Sequence, residues 1–497
     1  MSNKRKKDLL NKVYLEFIGN NTTDVTGSCI YVKAWDKDLQ RYVQVLLECG
    51  LTQGKSIESN YSANSRLLDK IDAKNIDFVL VSHQNLDHNG LICGLTARGF
   101  TGKILMTKEC KSFSIPMLKD SAFIMESEIE WLKKNKKTKG KTYKPLYRMV
   151  DVETTQGLIE TVELNKMLEL TPNVSVKFFP NIHMLGSASF NLYFKDLSSR
   201  VHKLYYSGDL GDRGFEKVLT YGEQKPPSNT TIALMESTYG AREKNFVSKD
   251  LRKRELKILE KTIENTILNK GGCVLMPAFS MDRTEQLLYN LKKICDNNDK
   301  LSKLEIVVDG KLTNEILDTY ERVCEGKNKE LIDEILNWDN LIRIREYKET
   351  CKMLDETDGK IIISSSGMCS NGHILSYLRK LLSQKRNTVI FNGYCGENTN
   401  GYKIKNKDET HQKTIKVDGH ITLMNAEIVV LNSFSSHIQR DSIINFVKQI
   451  NIADGLYLIH GEMSGREDLK EDIEKVFSDE CISTKVIIPK KNQVIYF

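Results

Sequence analysis

The 497-residue sequence lacks the features that mark several special classes of protein. Its 11 cysteines form no C-x-x-C pair, which argues against both a disulfide framework and a thiolate zinc knuckle. No segment reaches ~18 consecutive uncharged apolar residues, so no membrane-spanning helix is expected. Prolines number only 8, and neither an internal repeat nor a Pro/Gly-rich linker interrupts the chain. Domain borders therefore have to be placed by motifs rather than by composition.

Composition and charge describe an ordinary water-soluble protein, with 40% hydrophobic and 28% charged residues. The length predicts two or more domains, because single domains usually span ~100–200 residues. The basic N-terminus contains no apolar core of signal-peptide length, which predicts a cytoplasmic location without membrane association. A net charge of +7 favours polyanionic partners only mildly. The densest basic run, WLKKNKKTKGKTYKPLY at 131–147, fits RNA contact and a solvated helix end equally well.

Short apolar, β-branched runs alternate with helix-length amphipathic segments along nearly the whole chain. An early set includes DFVLVSH, VSVKFFP and KLYYSGD, and a later set includes CVLMPAF, LEIVVDG and KIIISSSG. Segments such as KDLRKRELKILEKTIENTIL separate the later runs and carry helical spacing. This alternation predicts an α/β fold of sheets covered by helices, in which the later set forms an α/β domain of its own.

One apolar run leads directly into a cluster of polar side chains. DFVLVSH continues into QNLDHNG, which places His83, Asn85, Asp87 and His88 on one tight turn at a strand end. Open α/β sheets place ligand sites at such strand ends. Converging imidazoles and carboxylates suit a divalent ion of the zinc or manganese type. Taken alone, the cluster is explained about as often by a polar loop.

The same pattern recurs along the chain, where FFPNIHM, YYSGDLG, VVLNSFSSH and LYLIHGE place polar residues after apolar runs: His183, Asp209, His437 and His460. Five of the nine histidines therefore close a strand-like run. The remaining four are interpreted as surface or packing residues: His202, His373, His411 and His420. The recurrence predicts a metal site assembled from strand ends.

In this order the motifs resemble the β-CASP branch of the metallo-β-lactamase superfamily, in particular its bacterial and archaeal RNA-processing nucleases. The segments that carry the resemblance are DVTGSC, LLECGLTQG, VSHQNLDHNGL, IHMLGSASF, YYSGDLG, ESTYG, PAFSMDRTEQLL, SSSGMCSNGHILSYL, GYCGENTNGYKI, NSFSSH and LIHGE. The resemblance implies an αββα metallo-β-lactamase sandwich with an inserted α/β β-CASP domain. It places the N-terminal part of the metallo-β-lactamase domain at 1–220, the β-CASP domain at 221–430 and the C-terminal return at 431–497.

The resemblance also implies roles for single residues. The metal ligands would be His83, Asn85 and His183 for one ion, Asp87, His88 and His460 for the other, and Asp209 as a bridge. The catalytic residues would be Asp87, Glu236 and His437, with Glu236 orienting an imidazole that protonates the leaving oxygen. A buried salt bridge is the alternative for the last two. Phosphate or RNA would be held by Arg283 and by the backbone amides of Ser364, Ser365, Ser366 and Gly367, although SSSG is also a good turn.

The sequence departs from the family pattern at the metal motif. The family motif is His-x-His-x-Asp-His, and Asn85 stands at its second histidine. Since an amide oxygen is a weaker ligand than imidazole, we expect two Zn²⁺ sites of which one is weakened, with Mn²⁺ as the alternative ion. Glu48 replaces an Asp and is predicted to support a ligand from behind. Other departures are Lys244 or Asn245 for a histidine, Gln439 for an Asp, and Asn371 and His373 for Gly and Arg.

Two hypotheses about function follow. The first is a zinc-dependent ribonuclease that hydrolyses phosphodiester bonds of single-stranded RNA with a metal-activated hydroxide. His460 favours RNA, because DNA-repair members of the group typically lack a histidine there. The second, supported by Asn85, is a catalytically impaired homologue acting as an RNA-binding or nuclease-partner scaffold. A homodimer and a complex with another nuclease subunit are both compatible with the sequence. A small-molecule hydrolase leaves ESTYG, NSFSSH and the ~200-residue insertion unexplained.

Overall fold

A computed structural model of the chain describes residues 10–54, 56–134, 143–212, 219–242, 248–393 and 395–497. The chain divides into two units. The first unit takes its described residues from 10–212, 220–242 and 436–497, and the second contains residue 219 and the described part of 248–435. One α/β unit is thus inserted into the sequence of another, which confirms the predicted fold class. The sequence-based borders after 220 and 430 stay a prediction.

The described part of the first unit contains two seven-stranded sheets. The first sheet is formed by β1 (Tyr14–Glu16), β2 (Ile30–Asp36), β3 (Arg41–Leu47), β4 (Phe78–Leu80), β5 (Lys103–Thr107), β6 (Ile159–Val162) and β22 (Val494–Tyr496). Its order is β22-β1-β2-β3-β4-β5-β6, antiparallel as far as β3 and parallel from β3 to β6. All three residues of β4 are buried, because a parallel strand inside a layered sheet is covered on both faces.

The second sheet also combines an antiparallel part with a parallel part. It is formed by β7 (Met167–Thr171), β8 (Val174–Pro180), β9 (Ala188–Lys195), β10 (Val201–Tyr206), β11 (Asn229–Glu236), β20 (Asn451–Ile459) and β21 (Lys485–Ile487). Its order is β21-β20-β11-β10-β9-β8-β7. Strands β7 to β10 are antiparallel, and β10, β11, β20 and β21 are parallel. Strand β11 belongs to this sheet although it lies after residue 220.

Helices cover the outer face of each sheet. The first unit contains α1 (Ile57–Lys70), α2 (Leu86–Asn89), α3 (Ile92–Thr96), α4 (Lys108–Lys134), α5 (Met149–Leu158), α13 (Arg440–Val447), α14 (Met463–Asp479) and the short turn Ala73–Asn75. Side chains of both sheets share one core that includes Phe17, Val45, Phe190 and Leu234. A second core packs α1, α3, α4 and α5 on the first sheet, and a third packs α13 and α14 on the second sheet. These four layers form an αββα sandwich.

The second unit is a parallel sheet with helices on both faces. Its strands are β12 (Val274–Pro277), β13 (Ile306–Asp309), β14 (Leu341–Ile344), β15 (Ile361–Ser364), β16 (Thr388–Phe391), β19 (Glu427–Val430) and the hairpin β17 (Thr414–Val417) with β18 (His420–Leu423). Its helices are α6 (Lys249–Glu264), α7 (Arg283–Asn297), α8 (Lys311–Val323), α9 (Lys327–Leu336), α10 (Tyr347–Met353), α11 (Ile374–Leu381) and α12 (Asn400–Lys405), with short turns at Asn265–Asn269 and Leu354–Glu356. The sheet order is β14-β13-β15-β12-β16-β19. Separate cores lie on its two faces.

None of the helices in the described ranges is long and apolar enough to cross a membrane.

Candidate metal centre

The turn after β4 carries three of the candidate ligands. His83 follows the strand, and Asp87 and His88 lie in the short helix α2. This turn packs so closely on Gly50 that a Cβ atom there would stand 1.7 Å from the Asp87 carbonyl oxygen. The Ser28 amide donates to the same oxygen at 2.9 Å. Only glycine at position 50 allows this approach, so it helps to place Asp87 and His88.

Three loops of the second sheet supply the other candidate ligands. His183 follows β8, Asp209 follows β10 and His460 follows β20. Asn181 joins two of these loops, since its Nδ2 donates to the Asp209 carbonyl at 2.5 Å and its Oδ1 accepts from the His183 amide at 2.8 Å. The His460 amide donates to the Asn21 carbonyl at 2.6 Å, which fixes this loop to the one between β1 and β2.

The carboxylate of Asp209 divides these ligands into two groups. Its Oδ1 lies 3.3 Å from both His88 Nε2 and His460 Nε2. Its Oδ2 lies 3.6 Å from His83 Nε2 and 3.9 Å from His183 Nε2. Ligand atoms lie within 4.8 Å of one another in each group: Asp87, His88, His460 and Asp209 in the Asp87 group, and His83, His183 and Asp209 in the His83 group. Ions bind such atoms at ~2.0–2.2 Å, so ligands of one ion stand at most about twice that distance apart.

Burial and mutual contacts set the charges in the cluster. Burial and the neighbouring imidazole of His88 hold the pKa of His83 well below its usual range, which keeps His83 in the neutral form that binds metal. Burial opposes a charged His88, but the carboxylates of Asp209 and Asp87 raise its pKa well above the usual value. Burial also opposes ionisation of Asp209, and the imidazoles of His460 and His88 outweigh it and keep its pKa well below normal. Asp209 is therefore an anion surrounded by imidazoles.

The donor atoms fit divalent metal ions. Nε2 of His83, both ring nitrogens of His88 and Oδ1 of Asp209 are buried and lack a hydrogen-bond partner among the described residues. A buried polar atom without a partner costs ~1–3 kcal/mol, so several in one place need a compensating ligand. Imidazole nitrogen and carboxylate oxygen are the ligands that zinc and related ions prefer.

Hydroxyl groups hold two of the imidazoles from the side away from the cluster. Ser82 Oγ lies 2.9 Å from His83 Nδ1, and Ser28 Oγ lies 3.3 Å from His460 Nδ1. A contact to the far nitrogen fixes the orientation of a ligand ring and raises its basicity. Both serines belong to motifs noted in the sequence, DVTGSC and VSHQNLDHNG, but neither was predicted to have this role.

Glu48 lies behind His88, in the place that the sequence assigned to a supporting carboxylate. It is fully buried, accepts the Ser82 amide at 3.0 Å and lies 3.6 Å from His88 Nδ1. Burial raises the pKa of Glu48, although the contact with His88 acts against this. The separation from His88 exceeds an ordinary hydrogen bond, so the support is looser than the one that Ser82 gives to His83.

An acid–imidazole pair borders the His83 group. His437 Nδ1 lies 3.3 Å from Glu236 Oε2 and 3.9 Å from Asp209 Oδ2, and Glu236 accepts the Leu210 amide at 2.5 Å. Burial alone would lower the pKa of His437, but the Glu236 carboxylate raises it. The side chains of His437 and Asp87 are 22% and 20% exposed, whereas the other clustered candidates are 4% exposed or less. These two side chains therefore form the solvent-facing side of the cluster.

Asn85 stands directly before α2 and is half-buried. Its carbonyl accepts the His88 amide at 2.9 Å, and its side chain forms no hydrogen bond with any residue that the structure describes. It thus helps to shape the turn of the Asp87 group through its backbone.

The phosphate candidates all belong to the second unit. Arg283 begins α7, is buried, and donates to the carbonyl of Asn392. Ser364 ends β15, and Ser365, Ser366 and Gly367 follow it. The Ser366 amide donates to the Asn371 carbonyl at 3.3 Å, so in this arrangement it is already engaged.

Other departures from the family pattern have local roles. Gln439 Nε2 donates to the His437 carbonyl at 3.2 Å, and its amide donates to Asp212 at 3.1 Å. His373, interpreted from the sequence as a surface or packing residue, has Nδ1 2.7 Å from the buried Asp309 carboxylate. Lys244, Asn245 and residues 135–142 of the basic run lie outside the described residues.

Gln224 is a supporting residue that the sequence did not indicate. Its Oε1 accepts the amides of Ile182 at 3.2 Å and Gly211 at 3.0 Å, and its Nε2 donates to the Gly211 carbonyl at 2.9 Å. It therefore ties the loops of His183 and Asp209 together.

Comparison with known proteins agrees with this architecture. Residues 284–404 match the Beta-Casp domain, and residues 423–489 match the Zn-dependent metallo-hydrolase RNA specificity domain. Ribonuclease TTHA0252 of Thermus thermophilus is 28% identical over 88% of this chain and 91% of its own length. The transcription termination factor FttA of Methanocaldococcus jannaschii is 25% identical over 94% of this chain and 69% of its own length. The Probable RNase MJ4 of the same organism is 27% identical over 88% of this chain and 91% of its own length.

The αββα sandwich, the inserted α/β unit and the cluster of imidazoles and carboxylates define a metallo-hydrolase of the metallo-β-lactamase type. The match to the Beta-Casp domain lies in the second unit, and the match to the RNA specificity domain runs from the end of the second unit into residues 436–489 of the first. The two domain matches, together with relatives named ribonuclease and transcription termination factor, support a β-CASP RNA nuclease.

Proposed function

We propose that the protein is a ribonuclease that hydrolyses phosphodiester bonds in single-stranded RNA and uses two zinc ions held around Asp209. The observation that carries this proposal is that the two carboxylate oxygens of Asp209 face two different ligand groups. The match to an RNA specificity domain and the ribonuclease names of two relatives support RNA as the substrate. Manganese is the alternative ion, because the same nitrogen and oxygen ligands accept it.

Two such ions, when bound, would lower the pKa of a water and neutralise charge on a phosphodiester. The chain's own residues supply the remaining parts of the reaction. Asp87 reaches solvent, so its carboxylate accepts a hydrogen bond from the water and aligns it with phosphorus. The water oxygen would bond to phosphorus as the bond to the leaving oxygen breaks, with the proton of the water passing to the Asp87 carboxylate and the leaving oxygen taking a proton from His437.

His437 supplies the proton that the leaving oxygen needs. Burial opposes a charged His437, but the Glu236 carboxylate raises its pKa, which favours the protonated form. Its side chain reaches solvent, and Glu236 holds its Nδ1 so that the other ring nitrogen is directed away from that carboxylate. General acid catalysis of this kind typically contributes ~10²–10⁴-fold to a rate.

The two ions are proposed to bind with unequal affinity. The Asp87 group offers four charged or imidazole ligands, and the His83 group offers three, because Asn85 stands where the family motif has a histidine. An amide oxygen replaces the missing nitrogen only weakly. We therefore expect the His83 group to lose its ion first as the metal concentration falls.

The alternative is an impaired homologue that binds RNA or a partner nuclease as a scaffold. Asn85 favours it, since loss of a ligand is a common route to loss of activity. Against it, the buried imidazoles, the bridging carboxylate and the Glu236–His437 pair are all in contact. Activity is therefore the better supported of the two.

Metal analysis beside cleavage of labelled single-stranded RNA tests the proposal. We expect the purified protein to contain metal and to cleave, and we expect Asp87→Ala to lose most cleavage. Asn85→His should raise the metal content toward two ions per chain. His420→Ala is the matched control, because His420 is exposed in the hairpin of the second unit.

Two outcomes would decide against a ribonuclease. If the wild type holds no metal and cleaves nothing while Asn85→His does both, the scaffold hypothesis is correct. If the wild type and Asp87→Ala cleave equally well, the activity comes from a contaminant.

A further inference from the structure

The first unit contains a cavity of about 280 Å³ that no part of the proposed reaction uses. It lies between the loop after β1, the helix α1 and the residues just before β22. Among the described residues, its polar lining consists of Asn20, Thr52, Arg66, Lys70, Lys491 and Asn492, with no acidic side chain. Three cations and no anion among the described lining residues favour an anionic ligand in this concavity.

Contacts among the lining residues hold several of these side chains in place. Asn20 Nδ2 donates to Thr52 Oγ1 at 2.7 Å, and Lys491 Nζ donates to Asn20 Oδ1. Lys70 Nζ donates to Asn492 Oδ1 at 2.8 Å. The cavity is therefore a built arrangement of donors rather than a set of independently mobile surface lysines.

The charge of the cavity is only partly compensated. Lys70 forms an ion pair of 2.6 Å with Glu16, which does not line the cavity. Arg66 donates from Nε to the Ser62 carbonyl at 3.1 Å, and its two terminal nitrogens have no hydrogen bond or ion pair with a described residue. A guanidinium with both terminal nitrogens available can bind a phosphate through two parallel hydrogen bonds.

The same loops line the cavity and the metal centre. Asn20 lines the cavity, and the next residue, Asn21, accepts the His460 amide through its carbonyl. Thr52 also lines the cavity, and the amide of the preceding Leu51 donates to the Leu86 carbonyl at 2.7 Å, at the start of α2. Two loops of one unit therefore connect the cavity with the metal centre.

We propose that this cavity binds a backbone phosphate of single-stranded RNA and so acts as an anchoring site beside the metal centre. Arg66 and Lys491 are the contacting cations, with Asn20 and Thr52 fixing Lys491 and Lys70 held by Glu16. The inference rests on the proposed ribonuclease function for its ligand, but its test does not need cleavage.

Binding of fluorescein-labelled single-stranded RNA, followed by anisotropy with EDTA present to prevent cleavage, tests the proposal. We expect the double variant Arg66→Ala/Lys491→Ala to bind about tenfold more weakly than the wild type. Its slope of log K against log salt should be shallower by about one, because each phosphate contact on a single strand contributes ~0.7. The matched control is Lys12→Ala/Lys195→Ala, which removes two exposed cations of the same unit outside the cavity.

A second measurement separates an RNA phosphate from a free phosphate. Titration calorimetry with inorganic phosphate should show at most weak binding to the wild type. Tight phosphate binding that the double variant loses, with unchanged RNA affinity, would replace the RNA site by a site for a small anion. Equal RNA affinity and equal salt slopes for the wild type, the double variant and the control would overturn the proposal altogether.

The result can also be separated from that of the ribonuclease proposal. If the wild type does not cleave RNA but binds it through Arg66 and Lys491, the cavity proposal stands and the scaffold hypothesis gains support. If cleavage occurs and the double variant cleaves and binds as the wild type does, the ribonuclease proposal stands and the cavity proposal fails.

Discussion

Replacing Gly50 by alanine should disrupt the metal centre without touching any ligand. The new Cβ atom would stand 1.7 Å from the Asp87 carbonyl oxygen, 2.3 Å from its carbonyl carbon and 2.8 Å from the His88 amide nitrogen. All three contacts are with backbone atoms, so no side-chain rotation can relieve them. Ordinary contact begins near 3.4 Å, and the turn would therefore have to withdraw by about 1.7 Å.

A displacement of this size exceeds what a metal site tolerates. Ligand distances in such sites hold to about ±0.2 Å, and a 1 Å misplacement of reacting groups can cost ~100-fold in rate. We expect Gly50→Ala to lose most of its bound metal and at least ~100-fold in RNA cleavage. Forcing one extra methyl group into a packed site also costs ~1–3 kcal/mol of stability, which lowers the melting temperature by several degrees.

Gly157→Ala provides a matched control for this prediction. Gly157 lies in α5 of the same unit, and a Cβ atom there would meet nothing within 4 Å. Since alanine favours a helix over glycine by roughly 0.5–1 kcal/mol, the control should keep its metal and melt slightly higher than the wild type. Metal content by mass spectrometry, cleavage and melting temperature would be measured on all three proteins. Full metal content in Gly50→Ala would refute the argument that this close approach places Asp87 and His88.

Three further predictions follow from buried polar groups. The guanidinium of Arg466 is fully buried, and none of its nitrogens has a hydrogen-bond partner in the described part of the chain. Arg466→Met should therefore raise the free energy of unfolding by ~1–3 kcal/mol in urea titrations, and a loss of stability would contradict this. Arg254→Met, at an exposed arginine, is the control. Glu236→Gln should keep the metal content but reduce cleavage ~100-fold, because His437 loses the carboxylate that raises its pKa. Loss of metal in this variant would indicate instead that Glu236 is a metal ligand. Removal of metal with a chelator should lower the free energy of unfolding by up to ~4 kcal/mol, if the free ion had exceeded its Kd a thousandfold, and so lower the melting temperature. Adding zinc back should restore the melting temperature. An unchanged melting temperature after chelation would count against a bound ion.

The sequence predicted the layered α/β fold because apolar runs and amphipathic segments alternate along it. It also indicated that His83, His183, Asp209 and His460 follow strands, and the structure has each of them just after a strand. Such positions are readable because a strand that is buried on both faces ends abruptly in polar residues.

His437 shows where this kind of prediction fails. The apolar run before it, VVL, contains the last two residues of strand β19 in the second unit. His437 itself forms an isolated bridge with Gly211 in the first unit. An apolar run reveals that a strand exists but not the sheet to which the strand belongs. The preceding strand therefore says nothing about the position of His437.

Supporting residues were missed for a related reason. Gln224 binds groups that lie 13 and 42 residues away, and His373 binds a carboxylate 64 residues away. Contacts at such separations depend on the tertiary fold and leave no local pattern in composition or spacing.

The pairing of β20 with β11 gives the metal centre an order of assembly during synthesis. These parallel neighbours join Asn229 to Asn451, and residues 248–435 of the second unit are encoded between them. At ~5–20 residues per second, the ribosome needs roughly 10–40 s to reach β20 after finishing β11. Throughout that interval the edge of β11 has no partner on that side, and the Asp87 group lacks His460. The His83 group, whose residues all precede residue 210, can form early, so a filled Asp87 group is the mark of a chain that has been completed.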